Sequence, residues 1–467
     1  MENTQAKNQQ NIKIAPLVAV LLSGAFAAIL NQTLLATALP HIMADLHLTE
    51  NTAQWLTTVF MLVNGIMIPV TAFLIETFTT RRLFLTAMGL FSVGTLICAI
   101  APNFSVLMIG RIVQASGAGI IMPLMQTIMF VVFPFEKRGQ AMGLFGLVIS
   151  FAPAIGPTLS GWLVDQYPWR VLFYVILPIA IIDLIVAYFL LKNVTKQSFP
   201  KLDVLSIILS SFGFGGLLYG FSTAGVSGWG SWEVLISIGV GAIALVLFIK
   251  RQLILEQPIL EFRVFKYGMF TLSTILGVFV FIAMIGGATI LPIYMQNMHD
   301  FTALESGLML LPGALVMGVM SPISGRLFDK FGSKWLAITG MSIVTITTFM
   351  FTDLSGNTSF VYMATVNAFR MFGVALVTMP VTTTGLNQLP QRLIAHGTAM
   401  NNTMRQVSGS IGTAFLVTVM TNSALNPKEY GVEAYIHGVN MSFVVAGMVS
   451  GIGVILAFFL KKTSPDE

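Results

Sequence analysis

Long apolar stretches, repeated along almost the whole chain, are the feature that most limits how it can fold. A helix needs about 20 mostly apolar residues to cross the hydrocarbon core of a bilayer, and about 14 such stretches lie between the polar breaks of this sequence. Only 9 % of the 467 residues are charged, whereas soluble domains carry about 25 %. The chain lacks the polar residues to cover a water-soluble surface, so we predict an all-α polytopic membrane protein with 14 transmembrane helices.

The predicted spans form two sets of six with an extra pair between them. Residues 1–200 are predicted to form an N-terminal six-helix half, 201–266 two inserted helices, and 267–467 a C-terminal six-helix half. The predicted centres of the spans are Ile29, Met61, Phe91, Met122, Ile149, Ile181, Gly213, Val240, Phe279, Val316, Ser342, Leu376, Thr413 and Val449.

The basic residues predict the orientation of the chain in the membrane. If both termini are cytoplasmic, nineteen of the 24 Lys and Arg residues fall on the cytoplasmic side. Arg170 and Lys428 fall outside, while Arg111, Arg370 and Arg405 lie within spans. An excess of Lys and Arg in cytoplasmic loops is the rule for membrane proteins, so we expect a multi-pass membrane protein with both termini on the cytoplasmic side.

Several classes of protein are disfavoured. The formal charge of +5 is too dilute for a nucleic-acid surface, and the single cysteine, Cys98, excludes an intramolecular disulfide or a Cys-based metal site. Neither a nucleotide-binding loop of the form G-x-x-x-x-G-K-[ST] nor an H-E-x-x-H or G-x-S-x-G motif occurs. The first apolar stretch, 14–39, is too long for a cleavable signal sequence. We therefore expect no enzyme and no cofactor.

The two halves resemble each other in sequence. Gly139-Gln140-Ala141-Met142 follows one basic loop, and Gly397-Thr398-Ala399-Met400 follows another. The preceding helices carry Arg111 with Met122-Pro123 and Arg370 with Met379-Pro380. Repeats of this kind are typical of transporters, whose binding sites lie near the bilayer midplane between the repeats. Chance recurrence of such pairs in apolar sequence is the alternative.

A polar loop after the tenth span reads Gly325-Arg-Leu-Phe-Asp329-Lys-Phe-Gly332-Ser-Lys. Gly325 allows close helix packing, Gly332 allows a turn with positive φ, and Asp329 can accept hydrogen bonds from the start of the next helix or pair with a basic residue. The loop resembles the signature loop of the major facilitator superfamily, G-x-L-x-D-x-x-G-[basic], which implies a conformational latch at Asp329. The equivalent loop between spans 2 and 3 lacks both glycines and has Glu76 in place of the aspartate. The sequence therefore does not decide whether a second latch exists there.

Arg111 lies within the fourth span, where inserting an arginine costs about 2.5–3.5 kcal/mol. Arg111-Ile-Val-Gln114 resembles the R-x-x-Q-G motif of the superfamily. That resemblance implies a cavity-lining arginine involved in proton coupling. The alternative is that the side chain reaches the nearby outer surface.

The fifth span carries small residues at four-residue spacing, Ala152, Gly156 and Ser160, which predict a close helix contact. The run Gly156-Pro157-Thr-Leu-Ser160-Gly161 resembles the motif that marks antiporters within the superfamily. With 14 spans, the whole chain resembles the EmrB/QacA-type drug:proton antiporters, and among them the lincomycin-resistance exporters. The resemblance implies a multi-pass protein of the bacterial plasma membrane. These antiporters usually have an aspartate at the position of Asn31, and an amide cannot carry a proton.

Asp183 is the one acidic residue deep in a predicted span. Intramembrane acids are expensive and often functional, so Asp183 is the candidate for proton coupling. Alternatively, it fastens the sixth span to a neighbour. Four residues near the outer ends of spans are rivals: Glu305, Asp45, Glu50 and His41.

Taken together, these patterns predict a proton-driven exporter of drugs and other amphiphiles that works by alternating access. Three arginines against one aspartate within the spans favour neutral, zwitterionic or anionic cargo over dications. An exporter of an endogenous lipid, fatty acid or metabolite is the alternative, and a non-transporting membrane sensor or assembly protein is a remote one. The predicted partners are small amphiphiles, H⁺ and the lipid bilayer, and an accessory protein is left open. We predict polar pathway groups at Asn31, Arg111, Gln114, Arg370, Asn402 and Arg405, and gating residues at Gly156, Pro157, Gly161, Gly325, Asp329 and Gly332.

Overall fold

Fourteen long helices build the structure, a computed structural model that describes residues 14–195 and 197–461. Each predicted span centre lies inside one of them, and the described residues contain no strand. The helices are α1 Ile14–Leu46, α2 Glu50–Thr77, α3 Thr80–Ala99, α4 Phe104–Val132, α5 Arg138–Gln166, α6 Val171–Leu190, α7 Val204–Ser227, α8 Trp232–Ile254, α9 Gly268–Met298, α10 Ala303–Phe331, α11 Lys334–Phe349, α12 Phe360–Asn387, α13 Ile394–Asn422 and α14 Glu433–Ala457.

Hydropathy alone identifies 13 membrane-spanning helices among the described residues, and α13 is the long helix that it misses. Asn401, Asn402, Arg405 and Gln406 make the middle of α13 polar. Asn402 hydrogen bonds across to another helix, and a polar side chain that has such a partner is less costly within a bilayer. The low hydropathy of α13 therefore reflects polar contacts inside the protein.

Helices α1–α6 pack on one another, and α9–α14 pack on one another. The two groups meet along two seams, one between α5 and α10 and one between α2 and α13. We propose the boundaries 1–200, 201–266 and 267–467 for the two halves and the inserted pair. Two seams between two helix bundles permit a rocking motion of one bundle against the other.

The inserted helices lie across the seam between α2 and α13. Helix α7 pairs with α8 and also packs on both α2 and α13. The Tyr219 ring of α7 stacks on Trp55 of α2 with 5.4 Å between centroids, and the Trp229 Nε1–H donates to Thr418 Oγ1 of α13 over 2.6 Å. The insert therefore touches both halves at one seam and leaves the α5–α10 seam uncovered.

Charge distinguishes the two faces of the helix bundle. We call the face where odd-numbered helices begin and even-numbered helices end the basic face; Arg81, Lys137 and Lys330 lie there. The opposite face carries Arg170 and Lys428. The charge rule predicts that the basic face is cytoplasmic.

Candidate functional site

The seam between α5 and α10 is closed at the basic face by a carboxylate. Asp329 Oδ1 accepts the backbone N–H of Gly139 over 2.7 Å, and Oδ2 accepts that of Gln140 over 2.9 Å. A Cβ added at Gly139 would collide with the Gly325 carbonyl and with the Asp329 carboxylate. The aspartate therefore caps the N-terminus of α5, a position that favours negative charge.

These backbone N–H groups differ from both hydrogen-bonding partners that the sequence predicted for Asp329. Among the described residues, the carboxylate bonds neither the start of the next helix, α11, nor a basic side chain, because α10 meets the α5 N-terminus of the other half instead. Gly332, which ends α10, has a φ of 78°, so the turn expected there is present.

The seam between α2 and α13 is closed at the basic face by a different pair. His396 Nε2 lies 3.1 Å from Glu76 Oε1, and His396 Nδ1 accepts the backbone N–H of Glu261 over 3.3 Å. The histidine is buried. Sequence reasoning missed it, although the repeat contained a signal: His396 precedes Gly397 as Arg138 precedes Gly139. At the position where the sequence left the existence of a second latch undecided, the structure has a carboxylate–imidazole contact.

A polar layer lies next to these two junctions, between α4 and α13. Asn402 Nδ2 donates to Gln126 Oε1 over 2.6 Å, and the hydroxyls of Thr127 and Thr398 are 2.7 Å apart. All four residues are buried. This layer, the Asp329 cap and the Glu76–His396 pair all join the two halves near the basic face.

Arg111 is fully buried inside the N-terminal half, among α2, α3 and α4. Its Nε donates to the Leu56 carbonyl over 3.2 Å, and Nη1 donates to Gln114 Oε1 over 2.7 Å. Gln114 in turn donates to Thr95 Oγ1, and the guanidinium lies over the Phe60 ring at 4.2 Å. The side chain does not reach the outer surface; a carbonyl, an amide and a ring surround its charge.

The C-terminal half contains two more intramembrane arginines. Arg370 is fully buried and donates from Nη2 to the Ala283 carbonyl of α9, with Gly287 leaving room for the guanidinium. Arg405 is half-buried, and its guanidinium lies 5.1 Å from the Phe281 centroid. Neither arginine takes part in an ion pair among the described residues. The C-terminal half therefore holds two cationic groups that no carboxylate neutralises in this part of the chain.

Asp183 lies where α6 meets α1 and α3. Its side chain is nearly enclosed, at 3 % exposure. A Cβ added at Gly24 of α1 would lie 2.9 Å from Asp183 Oδ2, beside Phe84 and Met88 of α3. Asn31, also buried, has an amide nitrogen with no hydrogen-bond partner among the described residues. Asp183 is thus placed within the N-terminal half and away from both seams.

Asp45 at the opposite face lies in an ion pair. It accepts Trp169 Nε1 over 2.9 Å and Arg170 Nη1 over 2.8 Å. These two hydrogen bonds hold the pKa of Asp45 below its ordinary value. Its carboxyl therefore stays ionised near neutral pH, which disfavours the proton-carrying role that the sequence left open for Asp45.

The other three rival candidates for proton coupling, Glu305, His41 and Glu50, lie near the opposite face. Glu305 forms a capping box with Thr302 at the start of α10, in which its carboxylate accepts the backbone N–H of Thr302. His41 is exposed, and the side chain of Glu50 lies outside the described residues. Glu305 therefore already has a structural role.

The small residues of α5 make the close contact expected of them. A Cβ added at Gly156 would collide with Thr33 of α1, and Ser160 Oγ donates to the Leu34 carbonyl over 2.6 Å. Gly161 differs, because an added Cβ there meets nothing within 4 Å. The helix continues through Pro157 to Gln166, so α5 is held against α1 on one side and α10 on another.

The family assignment follows from comparison with known proteins. The model of the Major Facilitator Superfamily matches residues 21–413. The chain belongs to the Major Facilitator Superfamily. This facilitator is a membrane transporter rather than an enzyme, and its bacterial relatives and many apolar helices place it in the bacterial cell membrane as a multi-pass protein.

Two Bacillus subtilis relatives match the facilitator over nearly its full length. The uncharacterized MFS-type transporter YcnB is 59 % identical over 96 % of this chain and 95 % of its own, and the lincomycin resistance protein LmrB is 43 % identical over 99 % of each. The multidrug export protein EmrB of Haemophilus influenzae is 28 % identical over 85 % of this chain and 78 % of its own. These relatives confirm the resemblance to EmrB/QacA-type exporters.

A solved structure shares the fold. The human organic anion transporter MFSD10 superposes with a TM-score of 0.68, covering 95 % of this chain and 99 % of its own at 14 % identity. At that identity the likeness supports the helical architecture alone.

Proposed function

We propose that this facilitator exports drugs and other amphiphilic compounds from the cytoplasm in exchange for protons, by alternating access. The observation that carries the proposal is the closure of both seams at one face by polar contacts that can break and re-form. The cargo is inferred from the 43 % identity to a lincomycin resistance protein.

In the proposed cycle, one half rocks against the other and the basic face opens when three sets of contacts separate. These are the Asp329 cap, the Glu76–His396 pair and the Gln126–Asn402 layer. The α1–α5 contact lies within the N-terminal half, so α1 and α5 move together when that half rocks. We propose that closure is controlled by Gly156, Pro157, Gly325, Asp329 and Gly332, and that Gly161, where an added Cβ meets nothing within 4 Å, has no part in it.

We propose that the polar groups of the pathway are Asn31, Arg111, Gln114, Arg370, Asn402 and Arg405. The geometry favours α13 as the main contributor, since Asn402 faces the other half and Arg405 keeps part of its surface accessible. Arg111 and Gln114 are enclosed in this conformation. Their contribution requires the helices around them to separate.

The unneutralised arginines support a preference for neutral, zwitterionic or anionic amphiphiles. Arg370 and Arg405 place positive charge in the C-terminal half, and Asp183 lies in the other half, against α1. A dication would meet repulsion that a low dielectric strengthens. Equal transport of a dication and a neutral lincosamide-like compound would contradict this preference.

Asp183 is our candidate for the coupling proton, with helix fastening as the competing role. Its burial favours proton binding at a carboxyl group. Its position at the α1–α6 contact favours fastening.

Substrate-triggered proton release tests the exporter and the role of Asp183 together. Inside-out vesicles are acidified internally, neutral, anionic and dicationic compounds are added, and proton efflux is followed for wild type and Asp183→Asn. We expect neutral and anionic compounds to release protons from wild-type vesicles at least several times faster than dications do.

The outcomes separate the alternatives. Loss of proton release in an inserted, substrate-binding Asp183→Asn protein supports proton coupling at Asp183. Unchanged proton release supports the competing role, in which Asp183 fastens α6 to α1. No release from wild type despite binding of a compound contradicts antiport and favours a sensor or assembly protein. Release triggered by fatty acids or lipids but not by drugs favours export of an endogenous compound.

A further inference from the structure

A buried cation of the C-terminal half lacks a partner that its counterpart in the N-terminal half has. Arg111 donates from Nη1 to Gln114 Oε1, three positions further along α4. The position three residues after Arg370 in α12 is Gly373. A Cβ added at Gly373 would lie 2.7 Å from the Gly340 carbonyl of α11, so close packing of α11 and α12 leaves no space for an amide side chain there. The sequence repeat is therefore interrupted at the group that would satisfy Arg370.

Two hydrogen-bond donors of Arg370 consequently have no acceptor. Its Nη2 donates to the Ala283 carbonyl, whereas Nε and Nη1 are buried without a hydrogen-bond partner in the part of the chain that the structure describes. Asn367 lies one turn earlier on the same face of α12, and its buried Oδ1 is also without a partner among these residues. About nine in ten buried polar groups have a hydrogen-bond partner, so three such atoms at one place indicate a site for a ligand.

The charge of Arg370 also lacks a counter-charge. The residue lies about 15 Å inside α12, counted from the start of the helix at Phe360, and no described carboxylate forms an ion pair with it. An isolated ion within a bilayer is costly unless it is paired. The acidic residues of the C-terminal half that the structure describes all lie near helix ends: Asp300, Glu305, Asp329, Asp353, Glu429 and Glu433.

The chemistry of the site suits a group with a single negative charge. A guanidinium donates charge-assisted hydrogen bonds to anions. The Asn367 amide can turn its Nδ2 toward the same anion, because rotation of the amide exchanges its two ends. Arg405 lies by Phe281, two residues before Ala283, and positions two apart are about 200° apart around a helix axis. The two arginines therefore lie on different sides of α9, and the site contains one cation.

We propose that Arg370 and Asn367 bind a monoanion between α9, α10 and α12. Helix α10 takes part because a Cβ added at its Gly313 would lie 2.6 Å from Asn367 Nδ2. Two sources supply this chemistry: a chloride ion that stays in the C-terminal half as a counter-ion, and the carboxylate of an acidic amphiphile during transport. The second source rests on the exporter proposed above, whereas the site itself does not.

Thermal unfolding of the purified protein in detergent tests the site. Chloride replaces sulfate at constant ionic strength, and we expect the melting temperature of wild type to rise saturably by about 2–4 °C. Sulfate stabilises proteins non-specifically, so a rise on its replacement by chloride reports specific binding. In a second series, dodecanoate is compared with dodecanamide, a neutral amphiphile of the same length, in sulfate buffer.

Four variants locate the response. Arg370→Gln removes the charge and should abolish the rise, and Arg370→Lys keeps the charge with fewer donors and should need several times more chloride. Lys334→Gln is the matched control, since it removes one positive charge from an exposed position of the same half and should respond as wild type does. Arg405→Gln tests the other unpaired arginine. If Arg370→Gln does not fold, the chloride concentration that Arg370→Lys requires decides the question.

The two sources give different results. A response to chloride, with dodecanoate acting no more strongly than dodecanamide, supports a resident inorganic anion. A stronger effect of dodecanoate that chloride competes away and Arg370→Gln abolishes supports the carboxylate of the cargo. The site is overturned if neither anion stabilises wild type more than Arg370→Gln, or if Arg405→Gln loses the response while Arg370→Gln keeps it. Anion binding at Arg370 without any export contradicts the exporter alone.

Discussion

The absence of a side chain at Gly156 sets how closely α5 approaches α1. A methyl group there would collide with Thr33, whereas a methyl group at Gly161, five positions along the same helix, meets open space. Core positions tolerate added volume poorly, at a cost of about 1–3 kcal/mol. The two glycines of one sequence motif therefore have different physical roles.

We expect Gly156→Ala to lower both the melting temperature and the export rate, because α5 must move away from α1 while remaining packed on α10. Gly161→Ala is the control and should change the melting temperature by less than a degree or two. Thermal unfolding in detergent and export in vesicles measure both. Equal effects of the two substitutions would contradict the assignment of close packing to Gly156.

Sequence reasoning at the residue scale identified kinds of residue better than partners. The positive φ of Gly332 was predictable because few other residues adopt that conformation at a helix end. The partner of Asp329 was not, because it lies 190 positions away on the other half. Arg111 shows the same limit: its place within a span was evident from sequence, but its enclosure by Leu56, Gln114 and Phe60 was not.

The inserted helices are joined at the basic face by one ion pair. Arg251 near the end of α8 donates to both carboxylate oxygens of Asp203, the residue before α7, over 2.6 and 2.9 Å. These bonds, with one from Ser206, lower the pKa of Asp203 to about 2. The pair connects the two loops that enter and leave the insert.

A depressed pKa makes this contact sensitive to acid. Its contribution to stability is present above about pH 3.8, the ordinary value for Asp, and is lost as the pH falls through about 2. We expect Asp203→Asn to lower the melting temperature by a few degrees at pH 7 and to remove the part of the acid destabilisation that falls in this window.

Glu256→Gln is the control for Asp203→Asn, because Glu256 is exposed in the neighbouring loop. Scanning calorimetry of the detergent-purified protein between pH 7 and about pH 2 measures both variants. A melting temperature of Asp203→Asn that equals wild type at pH 7 would show that the ion pair adds nothing.

At the scale of elements, the number and position of the helices were predictable, since each apolar stretch must span the bilayer by itself. The place of α7 and α8 was not. Nothing in their composition indicates that α7 lies on both α2 and α13, a position set by ring contacts such as Trp55 on Tyr219.

For the whole molecule, the structure predicts that loss of one latch shifts the balance toward a basic face that is open. Asp329→Asn keeps an acceptor but removes the charge that favours the N-terminus of α5, an effect of about 1 kcal/mol or about fivefold in population. Glu136→Gln is the control, because Glu136 is an exposed acid that lines one pocket together with Asp329, and it should behave as wild type.

Substrate binding and export measured on the same proteoliposomes test this shift. We expect Asp329→Asn to bind substrate but to export it about fivefold more slowly, because the closed state that resets the cycle is less populated. Wild-type export by Asp329→Asn would show that the cap of α5 does not control closure.

The sequence by itself determined the helix count, the predicted orientation and the family resemblance, because hydropathy, loop charge and motif spacing are properties of short stretches of chain. Only the tertiary structure decided which groups of the two halves meet at the basic face. Glu76 and His396 lie 320 positions apart, and their contact depends on how two six-helix halves pack. Because the loop near Glu76 lacks the two glycines, the sequence did not decide whether a second latch exists there. Packing of the two halves brings the imidazole of His396 to the Glu76 carboxylate.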